Sequence, residues 1–295
     1  MTTGQAPRER TDHPDRPDRR PVLVLPPRLT ASARTLSAAA VRRGLRTVEP
    51  GGTRIPQALR ESAYGIAHLH AGPGFADAVA PVFGIAPLEA PADWLAGLPM
   101  RFTRREIRAM PIREAYGLRR PVFVKSPNDK SIPALVYTDG SRLPGPDAVE
   151  PETPVLVSEV LSYVSEYRLY VLDGSVHTAS RYAERGRLLL AEPSPDALAF
   201  GADLLAATAD SLPSAIVVDV GQDADGDWSV IEANAAWASG RYAADPERAL
   251  DVVLRAAGPV AALDAARDGA FVRSGARLPR EPRVSAAPPG KGCQG

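Results

Sequence analysis

Cysteine is almost missing from this 295-residue chain. The single one, Cys293, excludes an internal disulfide framework and points to a reducing compartment, so a cytoplasmic location is expected. No stretch approaches the roughly 18 apolar residues of a membrane span. The N-terminal run MTTGQAPRERTDHPDRPDRRP is charged and proline-rich and lacks the apolar stretch of a signal peptide. Neither sign of charge is in excess. Thirty-five basic residues face 35 acidic ones, which disfavours a nucleic-acid or other polyanion partner held by bulk electrostatics. Two common nucleotide fingerprints are absent as well: no Gly-x-Gly-x-x-Gly follows the first strand pattern, and no Gly-Lys-Ser/Thr loop occurs anywhere. There is no Gly-x-Ser-x-Gly elbow, and Cys293 lies in a loose tail, so the chain offers no evident side-chain nucleophile.

Lysine is the other scarce residue. Only three of the 35 basic residues are lysine, and two of them, Lys125 and Lys130, sit five positions apart in VFVKSPNDK. Lysine presents a compact ammonium where arginine presents a planar fork, and the difference matters most at phosphate sites.

The apolar pattern divides the chain. Residues 1–20 and 276–295 are polar and proline-rich, without periodicity, and read as disordered tails. Residues 21–98 alternate strand and helix patterns: PVLVL (21–25), the alanine-rich ASARTLSAAAVRRG closed by Gly44, LRTVEP, GIAHLH (65–70) and FADAVAPVFG. Such alternation predicts a small parallel sheet with helices on its faces. Residues 99–270 carry antiparallel signals instead. VFVK and ALVY bracket the loop SPNDKSIP. EYRLYVLDG and SVHTASRY predict a hairpin turned at Asp173-Gly174, and AIVVDVG and WSVIEAN a second one through DADGD. Helices are predicted over 194–210, with Pro195 in the first turn, and over 245–258, with Asp245 as N-cap.

Candidate chemistry concentrates in the second part. In VVDVGQDADGDWSVIEAN, Glu232 and Asn234 are two apart on one strand and so share a face, and the tight turn brings Asp219 opposite them. Two carboxylates and an amide oxygen are hard ligands suited to Mg²⁺; the bland reading is a solvated polar face. DADGD is a turn, not a calcium loop, because it lacks the twelve-residue spacing and its closing Glu. Glu159 and Glu166 flank a linker between two strands, where free backbone groups can read a purine edge and a carboxylate can accept from ribose hydroxyls. Arg168 shares a strand face with Glu166, and Arg181 follows on the next strand; both are candidates for phosphate contact or for surface ion pairs. His68 and His70 lack a third metal ligand nearby. Trp237, Ser239, Arg241 and Tyr242 follow the Glu-x-Asn step and read either as contacts to a carboxylate-bearing acceptor or as packing residues.

Taken in order, Lys125, Lys130, Glu159, Glu166, Asp219, and Glu232 with Asn234 resemble the ATP-grasp superfamily. The runs YGIAHLH, DWLAGLP, PVFVKSPNDK, PVLVSEV, SEYRLYVLDG and EANAAWASGRY are similar to a clade of it named for one arginine and two lysines, here Arg168 with Lys125 and Lys130. The resemblance covers roughly residues 60–258. It implies an α/β plus α+β fold: a small pre-ATP-grasp α/β domain over 21–98, then a two-lobed ATP-grasp domain with antiparallel sheets over 99–270. It implies ATP and Mg²⁺, with Lys125 and Lys130 on the phosphates, Glu159 and the backbone of Val160 at the adenine, and Glu166 at the ribose. Asp219, Glu232 and Asn234 would bind the metal, and Arg168 and Arg181 would neutralise charge on the transferred phosphoryl group. The implied activity is an ATP-dependent carboxylate–amine ligase working through an acyl phosphate. A phosphotransferase and a non-catalytic nucleotide-binding module are the alternatives. Small-molecule or peptide carboxylates and amines are the expected substrates; a homodimer is compatible with the sequence. Two features depart from the superfamily. The loop after Lys125 has no glycine, leaving Asn128 or Ser131 to approach phosphate, and no proline-glycine step follows Glu-x-Asn, so the acceptor pocket differs.

Overall fold

The computed structural model describes residues 19–128 and 131–274. Lys130 and the two expected tails, in 1–18 and 275–295, lie outside the described residues.

The chain begins with β1 (Val22–Val24), α1 (Ala31–Arg42), β2 (Arg46–Val48), α2 (Gln57–Ala63), β3 (Ala67–Leu69), α3 (Pro73–Phe83) and β4 (Ile85–Pro87). The first three strands form a parallel sheet in the order β2-β1-β3, as the alternation predicts. Helix α1 starts where Thr30 accepts a hydrogen bond from the Ala33 N–H. It stops one residue before Gly44, whose φ of +79° breaks the helix. Gly84 ends α3 in the same left-handed region, at +65°.

Next come α4 (Met100–Thr103), β5 (Ile107–Pro111), α5 (Ile112–Ala115), β6 (Val122–Lys125), β7 (Leu135–Tyr137) and β8 (Pro154–Ser158). These four strands make an antiparallel sheet ordered β5-β8-β6-β7. Its own core is small, built on Ile112, Val122, Val124, Tyr137, Val155 and Val157.

The larger sheet follows: β9 (Ser165–Leu172), β10 (Ser175–Glu184), β11 (Arg187–Ala191), α6 (Pro195–Thr208), β12 (Ala215–Gln222) and β13 (Trp228–Asn234). Its order is β11-β10-β9-β12-β13, all antiparallel. Both predicted hairpins form. Asp173 and Gly174 have φ of +49° and +76°, the pattern of a type I′ turn. In the second hairpin Asp223 accepts from the Asp225 and Asp227 N–H groups at 3.0 and 2.9 Å, so DADGD is a side-chain-braced turn. The strand RLLLA (β11) was not expected.

Strand alternation gives this sheet two apolar faces. Leu169, Val171, Ile216, Val218 and Val220 pack with α6 residues such as Ala197 and Leu204. Tyr170, Ala215 and Val217 point the other way and join the core of the first sheet, with Leu23, Leu36 and Phe83. The chain closes with α7 (Pro246–Ala256), β14 (Ala257–Pro259) and α8 (Ala265–Asp268). Asp245 caps α7, accepting from the Arg248 N–H at 2.9 Å. The buried face of α7 (Leu250, Val252, Val253) belongs to the first sheet's core, and β14 pairs with β4. The large sheet is therefore the middle layer, and the C-terminal elements fold back onto residues 21–98. Among the described residues no helix is long and apolar enough to cross a membrane.

Candidate active site

The site is built by register. Across the large sheet, Ser180 on β10 faces Arg168 on β9, Arg168 faces Asp219 on β12, and Asp219 faces Glu232 on β13. Directly opposed residues of antiparallel strands project to one side, so four strands place these side chains in one row. Asn234 joins them two residues beyond Glu232.

The members of the row bind each other. Arg168 grips Asp219 with a two-pronged contact, Nε to Oδ1 at 2.8 Å and Nη2 to Oδ2 at 2.6 Å, and donates its Nη1 to the Gly240 carbonyl at 3.1 Å. Asn234 Nδ2 donates to Asp219 Oδ2 at 3.1 Å and to Glu232 Oε1 at 2.7 Å. From the smaller sheet, Lys125 at the end of β6 reaches over and pairs with Glu232 Oε2. Lys125, Arg168 and Asp219 are buried, and Glu232 and Asn234 are partly so. Two cations and two carboxylates thus balance in a nearly dry cluster that spans the two sheets.

Burial alone would lower the Arg168 pKa, but the Asp219 carboxylate more than offsets this and holds the guanidinium above its ordinary value. Burial pushes the Asp219 carboxyl up while Arg168 pulls it down, and the two-pronged contact to a guanidinium is the geometry of a carboxylate. Burial likewise would raise Glu232; the Lys125 ammonium and the Asn234 amide donor overcome it and hold the carboxyl below its usual range. Both pairs are therefore ionised.

A second layer supports the first. Tyr182 donates to Glu166 Oε2 at 2.8 Å and stacks on Tyr242 with ring centroids 4.8 Å apart. The Arg168 guanidinium lies 4.9 Å from the Tyr242 centroid and 5.8 Å from that of Tyr182. Burial, then the nearby Asp219 and Glu166 carboxylates, raises the Tyr182 hydroxyl, which keeps its proton and acts as a donor. Sequence reasoning missed Tyr182. It occupies a β-bulge between Arg181 and Ala183, which no residue type announces.

The other expected residues fall in different places. Glu159 and Val160 follow β8 in the linker between the sheets and are exposed; Glu159 Oε2 accepts from the Glu106 N–H at 3.2 Å. Arg181 is set opposite Tyr167, one residue out of step with the Arg168 row, and pairs with Glu184 at 3.3 Å. The structure does not bring it to the cluster. Asn128 donates to the Ala90 carbonyl at 2.8 Å, and the Ser131 and Ser126 hydroxyls lie 3.1 Å apart. The glycine-free loop is thus pinned at both of its described ends. Trp237 is fully buried and donates to the Leu88 carbonyl at 2.7 Å, a packing role. Among the described residues no three His, Cys, Asp or Glu side chains are grouped to hold a metal; the candidate set has two carboxylates and an amide.

A cavity of about 410 Å³ opens on this cluster, lined by Lys125, Ser126, Asn128, Glu232, Asn234 and Ser239 among others. Two antiparallel sheets facing one cleft, with a strand-end lysine on one and an Asp/Glu/Asn row on the other, define the class of ATP-dependent ligases of ATP-grasp fold. Residues 102–252 match an ATP-grasp domain family, the second family of the clade named for one arginine and two lysines, and the chain belongs to that family. Among solved structures, D-cycloserine synthetase DcsG is similar at 15% identity and a TM-score of 0.51, covering 78% of this chain and 98% of its own. A RimK domain ATP-grasp protein from Sphaerobacter thermophilus shares 17% identity at a TM-score of 0.44, over 79% of this chain and 99% of its own. D-alanine–D-alanine ligase from Bacillus anthracis shares 13% at 0.43, over 80% and 97%. At these identities the likeness is one of fold. No curated protein matches the sequence.

Proposed function

We propose that the protein is an ATP-dependent carboxylate–amine ligase that works through an acyl phosphate and releases ADP and phosphate. The observation that carries this reading is the row Arg168–Asp219–Glu232–Asn234 met across a cleft by Lys125.

A carboxylate is a poor electrophile because its leaving group would be oxide. Transfer of the γ-phosphoryl group to a carboxylate oxygen makes that oxygen part of a good leaving group. An amine nitrogen then attacks the carbonyl carbon; the C–N bond forms, the C–O bond to phosphate breaks, and phosphate departs. No side-chain nucleophile is required. Lys125 supplies a compact charge to the phosphates, with Lys130 assigned beside it. Glu159 and the Val160 backbone lie in the linker, where an adenine would sit, and Glu166, oriented by Tyr182, is assigned to the ribose. Arg168 acts in two ways: it fixes Asp219, and its charge lies under the phosphoryl group in flight. Arg181 reaches such a group only by a rotamer change away from Glu184.

Asp219, Glu232 and the Asn234 amide oxygen are hard oxygen donors, and their chemistry fits Mg²⁺. Bound there, the ion would neutralise phosphate charge. Glu232 becomes available only when Lys125 leaves it, so one exchange frees an ammonium for phosphate and a carboxylate for metal.

The test is a cycle of Lys125→Met, Glu232→Gln and the double variant, read by ADP release and by melting. Each single change strands a charge and should cost about 2 kcal/mol of stability, while the double variant should melt nearer the wild type. ADP release should fall at least about 100-fold in all three. Wild-type turnover in either single variant overturns the assignment. Free inorganic phosphate with a condensed product identifies ligation; a phosphorylated product identifies a phosphotransferase instead.

A further inference from the structure

A second cavity, of about 480 Å³, adjoins the first and shares Gly72, Ala238 and Ser239 with it. Its walls come from the first turn of α1, the segment after β3, residues 238–242, and Leu188 and Leu190 of β11.

One end of this cavity is positive. Helix α1 runs for twelve residues, and Thr30 takes up only its Ala33 N–H among the first-turn donors by side chain. Helix geometry provides no partner for the N–H groups of Ala31 and Ser32, and both residues line the cavity. Arg241 lies against the same turn. Its backbone N–H donates to Ser32 Oγ at 2.9 Å, its Nη1 to the Ala244 carbonyl, and its Nε is buried with no partner among the described residues. The cavity is thus provided with donors for an anion. No acidic side chain is among the described residues that line it.

A second point has the opposite need. His70 also lines the cavity and is only 5% exposed. One ring nitrogen bonds to the Trp237 backbone, and Nδ1 is buried without a partner. Burial keeps the ring neutral at physiological pH, with a pKa of about 4. A neutral imidazole whose other nitrogen donates to a carbonyl presents a lone pair at Nδ1. Such a lone pair asks for an N–H donor. An unmet acceptor and an unmet donor on one cavity are most simply met by one ligand carrying both an amine and an acid.

We propose that this cavity holds the amine substrate, and that the substrate is a free α-amino acid. Its carboxylate meets Arg241 and the first turn of α1, its ammonium donates to His70 Nδ1, and its side chain lies against Leu188 and Leu190. Tyr242 separates this pocket from Arg168, on which it stacks. The proposal rests on the ligase reading, which requires an amine beside the phosphate cleft.

The experiment reads binding directly, without turnover. Full-length protein is examined by saturation-transfer NMR with the proteinogenic amino acids and D-alanine, their amides, the corresponding decarboxylated amines, and simple carboxylates. Binding of a non-hydrolysable ATP analogue is measured in parallel by calorimetry. At least one amino acid should bind about tenfold or more tightly than its amide, its amine and the plain carboxylate. Arg241→Met and His70→Gln should each weaken that binding by about tenfold, with nucleotide affinity within about twofold of wild type. Using two variants guards against one failing to fold. Absence of amino-acid binding, equal binding of the amides or of plain carboxylates, or unchanged affinity in both variants overturns the proposal. Amino-acid binding without nucleotide binding would uphold the pocket and overturn the ligase reading.

Discussion

At the scale of single residues, what was readable was chemistry and what was not was partnership. Lys125, Asp219, Glu232 and Asn234 stand out because a lysine-poor chain places them at strand ends with two-residue spacing, and period-two geometry then fixes a shared face. That Arg168 is committed to Asp219 on two prongs, or that Lys125 closes on Glu232, depends on register between segments far apart in sequence. His70 shows the same limit. As a sequence position it was a metal candidate without a third ligand; in the fold it is a buried neutral ring whose pKa is lowered to about 4, first by desolvation. The unfolded chain has the ordinary value of 6.5. Between those values the unfolded state binds a proton that the folded state refuses, so stability falls as pH drops from about 6.5 to about 4 and this contribution levels off below. The shift corresponds to roughly 3 kcal/mol. Denaturant unfolding at pH 7.5 and 4.5 should show wild type losing about 2–3 kcal/mol more than His70→Gln across that interval. An identical loss in both proteins would mean that His70 titrates normally in the fold.

Elements were more legible than contacts, because caps and turns are local. Gly44, Gly84, Asp173-Gly174 and Asp245 each act within a few residues of their own position, and the helices and hairpins end where they dictate. Two features escaped. RLLLA carries no alternation, and its three leucines stand exposed on an edge strand, so no burial pattern marked it. The buried face of α7 announced a helix but not its partner, which proves to be α1 and the first sheet; the boundary near residue 98 therefore separates two stretches of chain more cleanly than two cores. Close approach is the other non-local quantity. A Cβ on Gly140 would lie 2.2 Å from the Ala115 carbonyl oxygen and 2.6 Å from that of Tyr116, both backbone atoms that cannot rotate away. Gly140→Ala should cost about 3 kcal/mol, because the turn before Leu143 must move off α5. Gly145, five residues on, has open space where its Cβ would be. Gly145→Ala should stay within about 0.5 kcal/mol of wild type. Equal melting temperatures for the two variants would show that the turn yields freely.

For the whole molecule, the distribution of cores says which parts move together. The first sheet, α7 and one face of the large sheet share a continuous core, and α6 covers the other face. The four-stranded sheet has a small core of its own and meets the rest through Ile107 and Leu156, the Asn128–Ala90 bond, Arg105, and the Lys125–Glu232 pair. Of these contacts only the ion pair is made by the groups assigned to ATP and Mg²⁺. Without nucleotide it ties the lobes; with nucleotide its two ends take different partners while the phosphates bridge them. The tie and the substrate site thus compete, and cutting the tie should loosen the smaller lobe without touching its core. In nucleotide-free protein, Lys125→Met and the Lys125→Met/Glu232→Gln double variant should both exchange amide hydrogens in β6 and β7 about tenfold faster than wild type, and both should show a larger radius of gyration by small-angle scattering. The double variant is the informative one, since it leaves no stranded carboxylate and any loosening in it comes from the missing tie alone. Adding a non-hydrolysable ATP analogue with Mg²⁺ should slow exchange in wild type and leave the double variant unchanged. Wild-type exchange in the nucleotide-free double variant would show that apolar packing, not the Lys125–Glu232 pair, sets the position of the lobes.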